Sequence, residues 1–455
     1  MLELPPSDVS RRAVLQGALG LLAIAGVSSL AGCASSPAGK ASPDSRVLDP
    51  GPVDLARERV TIAAAPALAA VVAGMGALSA ELHRTSATIT HNWTISPFSI
   101  DVAFGMLRAG CRGSTAREID TVFGYPAVAA PQGSPHPALN ALAAQLVTTG
   151  PVSTTPSTAP SGQPSPKPIV AVANALFVDR TYSGRIARAF LETLATQYGA
   201  GPTALSFQDP AAAAKAINAW VARQTRDRIT KLFDQLDPET VLVLANAVYL
   251  KASWLNQFSE QSTVDGPFTT AAGEQVPARL MHETFREVRY AADDGWQRVT
   301  LPYVGDELGM RVVVPTSHAT SVAQLAPALA AASQPSLRDG PAWVDLTLPK
   351  WDTATDLPLV AALGKLGMVE AFTDRADLSG IAPNLFVSDA MHRANITVDE
   401  SGTEAAAVTG IAVATSASPG SPVVMRADRP FAWAIVHEPT GTPIFTGHVT
   451  NPAAK

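Results

Sequence analysis

Residues 399–415 read DESGTEAAAVTGIAVAT, a glycine followed by small and mostly uncharged side chains. Gly402 can take backbone angles that other residues resist, so it suits a hinge. From Thr403 onward, the two-residue repeat of a strand puts Thr403, Ala405, Ala407, Thr409, Ile411, Val413 and Thr415 on one uncharged face. Glu404, Ala406, Val408, Gly410, Ala412 and Ala414 fall on the other, so the only charge of this run points where water can meet it. Neither proline nor an aromatic interrupts the run, and proline would remove a ladder donor from a central strand. Gly-Thr-Glu-Ala-Ala-Ala is equally a capped helix start, and local propensity leaves helix and strand in balance. The β-branched Ile411, Val413 and Thr415 tilt the reading toward strand.

At 455 residues, 47% hydrophobic and 16% charged, the chain can bury a large core as one big domain or two ordinary ones. A formal charge of -6 provides no basic surface for nucleic acid, and there is no zinc spacing or phosphate-binding glycine loop. The sequence also lacks a G-x-S-x-G elbow and an H-E-x-x-H pair. It therefore reads as neither an enzyme nor a nucleic-acid binder, with no cofactor and no metal expected.

The N-terminus sets the compartment. Ser10-Arg11-Arg12-Ala13-Val14-Leu15 is a twin-arginine pattern, followed over residues 18–27 by an apolar run too short to span a bilayer comfortably. It ends at Leu30-Ala31-Gly32-Cys33, which resembles a bacterial lipobox. Residues 1–33 are accordingly expected to be a signal peptide, with Cys33 lipidated and the chain held at a membrane. The body would lie on the outer face of the cytoplasmic membrane or in the cell envelope, facing the extracellular space. Only Cys33 and Cys111 are present, so acylation of Cys33 leaves no intramolecular disulfide. Cys111, in an apolar stretch, is expected to be a buried small hydrophobe.

Residues 34–56 are small, polar and proline-bearing and read as a flexible tether, with the folded domain at 57–455. Within it, about 127–168 is a low-complexity insertion ending PVSTTPSTAPSGQPSPKP, although 137–148 reads as a helix. Further helices are expected at 61–83, 212–232 and 361–367, and strands at 241–250, 311–314 and 344–348. This irregular order, without a βαβ rhythm, predicts an α+β fold.

Several segments jointly resemble one family, the serpins. They are NWTISPFSI at 92–100, then GCRGSTAREI; INAWVARQTRDRITKLF at 217–233; VLANAVYLKASWLNQF at 243–258; and LPYVGDELGMRVVVP at 301–315. LPKW at 348–351, LGMVEAF, RADLSGI, VDESGTEAAAVTG, RPFAWAI and FTGHVTNP complete the set in family order. The resemblance implies a single domain of three β-sheets and about nine helices, with an exposed reactive-centre loop. It also implies a monomeric, suicide-type inhibitor that traps a serine protease as a covalent acyl-enzyme when the cleaved loop inserts into the central sheet. Loop insertion in this family is a known example of strand addition.

Under that resemblance, Glu400, Gly402, Thr403, Glu404, Ala405, Ala406, Ala407, Val408 and Thr409 match the hinge, with Thr403 entering first. Ser96, Ser99, Asn246 and His392 match the polar shutter beneath the sheet, and Trp254 matches the breach where insertion starts. The family's usual spacing puts the reactive bond at Ser416-Ala417, with Thr415-Ser416 and Ala417-Ser418 as alternatives. Residues 403–424 contain no Lys, Arg, Phe, Tyr, Leu or Trp, so small-pocket elastase-like or subtilisin-like proteases are the expected targets. A non-inhibitory surface lipoprotein of the same fold, acting as a binding protein or protease substrate, is the competing expectation.

Overall fold

Apolar runs rich in β-branched residues form the sheets, and alanine-rich amphipathic stretches lie on them as helices. The computed structural model describes residues 46–47, 55–126, 133–147, 157–158, 164–165, 168–333, 339–403 and 421–454. Among these residues there are eight α-helices: α1 (Leu68–Ser86), α2 (Pro97–Arg108), α3 (Gly113–Phe123), α4 (His136–Leu146), α5 (Arg188–Thr193), α6 (Pro210–Gln224), α7 (Val322–Ser333) and α8 (Leu359–Gly364). The first nine strands are β1 (Arg46–Val47), β2 (Trp93–Ile95), β3 (Ser157–Thr158), β4 (Pro164–Ser165), β5 (Ile169–Asp179), β6 (Thr203–Leu205), β7 (Leu242–Ser253), β8 (Val264–Thr269) and β9 (Gln275–Ala292). They are followed by β10 (Trp296–Pro302), β11 (Leu308–Pro315), β12 (Gly340–Pro349), β13 (Trp351–Pro358), β14 (Asp389–Asp399), β15 (Gly402–Thr403), β16 (Val423–Arg426), β17 (Phe431–His437) and β18 (Thr442–Val449).

A seven-stranded sheet runs β1-β6-β5-β7-β15-β14-β13. A second path of strands runs β16-β12-β9-β10-β11-β17-β18-β2, with β8 on β9, and β3-β4 form a small ribbon. The length of β9 joins the second path: it pairs with β8 through Leu280, with β12 from Leu280 to Tyr290, and with β10 from Arg289 onward.

Strand β7 explains why LVLANAVYLKAS is nearly continuous in apolar residues. Leu242, Leu244, Val248, Leu250 and Ala252 face a large core shared with α2, while Val243, Ala245 and Ala247 face a second core under α6. A strand covered on both faces loses the polar half of its alternation. Helix α2 starts at Ser96, whose side chain accepts from the Ser99 amide at 3.1 Å, with Pro97 in the first turn. Residues 97–107 of this helix are all buried.

Three expectations are adjusted. The helix expected at 212–232 begins at Pro210, behind an Asp209 cap, and ends at Gln224. Arg226 and Asp227 both have positive φ (57° and 61°), and the Thr225 hydroxyl accepts from the Ile229 amide at 3.1 Å, so the helical hydrogen-bond ladder stops there. Within the expected tether, Arg46 and Val47 instead pair antiparallel with β6 at the edge of the seven-stranded sheet. Within the low-complexity insertion, α4 buries Ala138, Leu139, Asn140, Ala141, Leu142 and Ala143, and the other described residues of the insertion lie outside any helix. Cys111 is buried as expected, its Sγ donating to the Leu107 carbonyl at 3.3 Å, and burial pushes the thiol far up.

Candidate functional site

The centre of the seven-stranded sheet is a split pair. Strands β7 and β14 run parallel and pair directly from Val243↔Asp389 to Val248↔Ala394. At the other end β15 lies between them, antiparallel to both: Thr403 pairs with Ala252 and Val398, and Gly402 with Ser253 and Asp399. Between these two zones, residues 249–251 and 395–397 pair across the slot with no described residue.

Gly402 is the only residue type that fits its position. Its φ is +146°, and a Cβ there would lie 2.1 Å from the Ala252 carbonyl oxygen and 2.8 Å from the Ser253 Cα. Asp399 completes the turn: its Oδ1 accepts from the Ser401 amide at 2.8 Å and the Gly402 amide at 3.2 Å. Gly402→Ala is expected to destabilise the protein by on the order of 3 kcal/mol, combining left-handed strain with backbone collision. Denaturant midpoints of the two proteins measure this, and a difference within about 0.5 kcal/mol, as at an indifferent surface site, would show that the strand entry tolerates a side chain.

Trp254 closes the same end. Its indole Nε1 donates to the Asp399 carbonyl at 2.9 Å, its amide donates to Ser401 O at 3.0 Å, and its ring stacks on Tyr303 with centroids 4.5 Å apart. The Tyr303 hydroxyl meets Thr403 Oγ1 at 2.6 Å, and burial pushes the phenol up, so the pair stays neutral. Thr403 is fully buried. It is thus already seated in the sheet, which corrects the expectation that it enters first.

Glu400 is buried beside these groups. Its carboxylate accepts from Thr263 Oγ1 at 2.7 Å and Lys350 Nζ at 2.6 Å, and its carbonyl accepts from the Phe258 amide at 3.0 Å. Burial alone would raise the carboxyl, but the hydrogen bonds from Lys350 and Thr263 outweigh it and hold it below its ordinary range.

Lower in the slot, Ser96, Ser99, Asn246 and His392 are brought together at the start of α2, all fully buried. The Ser96 amide donates to His392 Nε2 at 3.0 Å, so that nitrogen carries no proton, and Nδ1–H donates to Asn246 Oδ1. Asn246 Nδ2 donates to Ser99 O at 2.7 Å and Ser99 Oγ at 2.8 Å, and also bonds Asn174. Burial pushes the His392 imidazole down to about 3, and a second ring proton would face the Ser96 N–H. Both nitrogens are engaged in structural bonds, so the cluster offers a fastening across α2, β5, β7 and β14 rather than a base beside a nucleophile. Among the described residues, no group of three His, Cys, Asp or Glu could hold a metal ion.

Sequence reading missed Asn174, Tyr303, Lys350 and Thr263. Asn174 carried a signal, as the one polar residue inside the apolar β5 run IVAVANALFVD. Cys33, Glu404, Ala405, Ala406, Ala407, Val408, Thr409, Thr415, Ser416 and Ala417 lie outside the described residues.

The fold is α+β, its central sheet parted at one end by the start of a strand, above a buried Ser-Asn-His fastening. The family model for serpins, described as serine protease inhibitors, matches residues 75–452. A serpin-like protein of Thermococcus kodakarensis is 32% identical over 389 residues, covering 84% of this chain and 86% of that protein. The leukocyte elastase inhibitor of Sus scrofa is 30% identical over 381 residues, covering 79% and 93%. Among solved structures, human thyroxine-binding globulin complexed with thyroxine superposes with a TM-score of 0.72 at 25% identity, over 86% of this chain and 100% of that one. The thermophilic serpin tengpin gives 0.70 at 24% identity over 84% and 94%, a likeness of fold. The chain belongs to the serpin family.

Proposed function

We propose that this serpin is a suicide-type inhibitor of serine proteases, acting by insertion of residues 404–413 between β7 and β14. The observation that carries the reading is the register of β15. Continuing it one residue at a time from Thr403, with its partners Ala252 and Val398, sets Ala405 against Leu250 and Ile396. It then sets Ala407 against Val248 and Ala394, Thr409 against Asn246 and His392, and Ile411 against Leu244 and Ala390. These partners line the core face, and the incoming side chains are small or β-branched and uncharged. Thr409 would bring a hydroxyl to the one polar place on that face, the Asn246–His392 fastening. Glu404 would meet Lys251 and Thr397 on the opposite, partly exposed face.

Insertion exchanges the six-residue parallel pairing of β7 and β14 for two antiparallel ladders, the slightly more stable kind. Ten residues at about 3.3 Å each carry the loop's far end roughly 33 Å along the sheet. A protease acylated at Ser416, with Ala417 as the leaving side, would be dragged with it and would lose the preorganised oxyanion site that deacylation needs. The absence of Lys, Arg, Phe, Tyr, Leu and Trp from 403–424 favours elastase-like or subtilisin-like targets, and the similarity to the leukocyte elastase inhibitor supports the same class. The test is incubation of the domain from residue 57 onward with one protease of each type. A band on a denaturing gel at the summed mass is the expected product. Cleavage without such a band for any serine protease would leave the alternative, a binding protein or substrate of serpin fold.

The second part of the proposal is an envelope location through a lipid on Cys33, supported by the Leu30-Ala31-Gly32-Cys33 order after a twin-arginine signal. Radiolabelled fatty acid should enter the expressed protein and be lost in Cys33→Ser; equal labelling of both would remove the anchor from the model.

A further inference from the structure

Asn140 is an anomaly in α4: a fully buried amide on a helix whose neighbours 138, 139, 141, 142 and 143 are buried apolar residues. Its bonds leave the helix altogether. Nδ2 donates to Glu58 O at 3.1 Å, Gln197 O at 2.9 Å and Thr196 O at 3.4 Å, while Oδ1 accepts from the Val60 amide at 3.4 Å. The Asn140 carbonyl accepts from Arg57 Nη2 at 3.4 Å. Around it the two partner segments also hold each other: the Glu58 amide donates to Thr196 O at 2.8 Å, and Gln197 Nε2 donates to the Glu58 carboxylate at 2.6 Å. One side chain therefore fastens the stretch before α1 to the turn at 194–199.

These two segments reach the slot by different routes. Residues 169–253 form β5, α5, β6, α6 and β7 in unbroken succession, so the 194–199 turn is part of the piece that carries β6, β5 and β7. Residues 57–60 lead into α1, which packs on α8 and through it on β13 and β14 across the slot, and also on α2, which touches β5 and β7. Admitting a strand requires β7 and β14 to separate by one strand spacing, about 4.8 Å, and the turn at 194–199 is continuous with the β7 side while 57–60 is not. Hydrogen bonds of 2.8–3.4 Å that tie one part to the other cannot all survive that displacement.

We propose that Asn140 is a positioning residue for strand insertion: it rivets the segment at 57–60 to the turn at 194–199 and so sets the barrier to opening the slot. The proposal rests on the insertion reading above. It gives the segment between the candidate lipidation site and α1 a second task, since whatever pulls or cuts this segment also loosens the sheet.

The test uses the uncleaved full chain and a synthetic peptide with the sequence of residues 404–413. Peptide uptake is followed as a rate, and the denaturation midpoint of the loop-cleaved form is measured beside it. Asn140→Ala is expected to take up peptide about tenfold faster, the rate equivalent of roughly one net hydrogen bond, with the cleaved form's midpoint unchanged. Glu58→Ala, which removes only the outer bond to Gln197 and keeps a foldable surface site, should accelerate uptake about threefold. It carries the test alone if Asn140→Ala does not fold. Wild-type uptake rates in the variants, or equal losses of midpoint in the native and cleaved forms without faster uptake, would overturn the proposal by making Asn140 a purely structural residue. If the wild type takes up no peptide and gains no stability on loop cleavage, the insertion reading itself fails and the proposal falls with it.

Discussion

Under the proposed insertion mechanism, Ala407→Arg is expected to turn the protein from a trap into a substrate. In the register extended from β15, position 407 comes to lie between Val248 and Ala394, both fully buried and facing the core shared with α2. An alanine passes there without cost, whereas a guanidinium would be desolvated with no carboxylate to receive it, a penalty of several kcal/mol. Acylation of the protease precedes insertion and is untouched, so the loop should be cut at the wild-type rate while the covalent complex falls by at least about tenfold, as a barrier change of only 1.4 kcal/mol would produce. Glu404→Gln is the matched control. In the extended register position 404 would meet Lys251 and Thr397, both partly exposed, and the complex yield of this variant should change little. Quantifying complex against cleaved inhibitor on a denaturing gel separates the two faces; equal yields for both variants and the wild type would mean that the strand does not enter in this register. Position 403 is less suitable for the purpose. Thr403 is already bonded to Tyr303 in the native sheet, so Thr403→Arg would damage the starting state as well as the product.

The slot's components were legible to unequal degrees, and the differences have physical reasons. Gly402 was legible because a positive φ beside a neighbouring carbonyl admits no other residue, and Trp254 and Glu400 stood in motifs flanking it. Four of the five fastening residues were found the same way; Asn174 was not, because its partners Ser99 and Asn246 come from elements 75 and 72 residues away. Tyr303 was quoted as part of LPY, yet nothing local tells that its ring lies on Trp254 across a bridge between distant strands. The end of α6 was overrun because ARQTRDRITKLF has good helical propensity; consecutive left-handed residues at 226 and 227 are favoured there by tertiary bonds such as Asn218 Oδ1 to the Leu232 and Phe233 amides, at 2.7 and 3.0 Å. The pairing of Arg46 and Val47 with β6 was hidden for a similar reason, since two residues carry no periodicity and edge pairing depends on the exposed strand they meet.

Acidification from pH 7.5 to pH 5 is expected to remove several kcal/mol of stability, and the source is a set of buried histidines. Burial holds four imidazoles down: His83 to about 3, His448 to about 4, His136 to about 4 and His392 to about 3. Burial is the largest cause for each; His448 adds to it for His83 and Arg108 for His136, while the bond to His91 works against it for His448. His448 gives its Nε2 proton to His91 O at 2.9 Å and accepts from His83 Nε2 at 2.7 Å; His136 Nδ1 meets the Tyr198 hydroxyl at 2.7 Å; His392 lies between Ser96 and Asn246. In the unfolded chain these rings take a proton near pH 6.5. Folded values below the unfolded one mean that the stabilisation is complete above about pH 6.5 and is lost as pH falls toward the folded values, since the unfolded state then binds more protons. At pH 5 this amounts to about 2 kcal/mol for each ring. Asp101 works the other way. Burial pushes its carboxyl well above the ordinary range against a single Tyr125 hydroxyl bond at 2.6 Å, leaving Oδ2 without a partner, so acidification relieves its cost. Over the same interval one carboxyl can return at most about 3 kcal/mol, so the histidines prevail. Denaturant midpoints between pH 7.5 and 5 measure the net effect. Asp101→Asn should raise the midpoint at pH 7.5 and make its fall toward pH 5 steeper, because the compensating group is gone. A midpoint that stays level across this range in both proteins would show that the four rings are not held neutral in the fold.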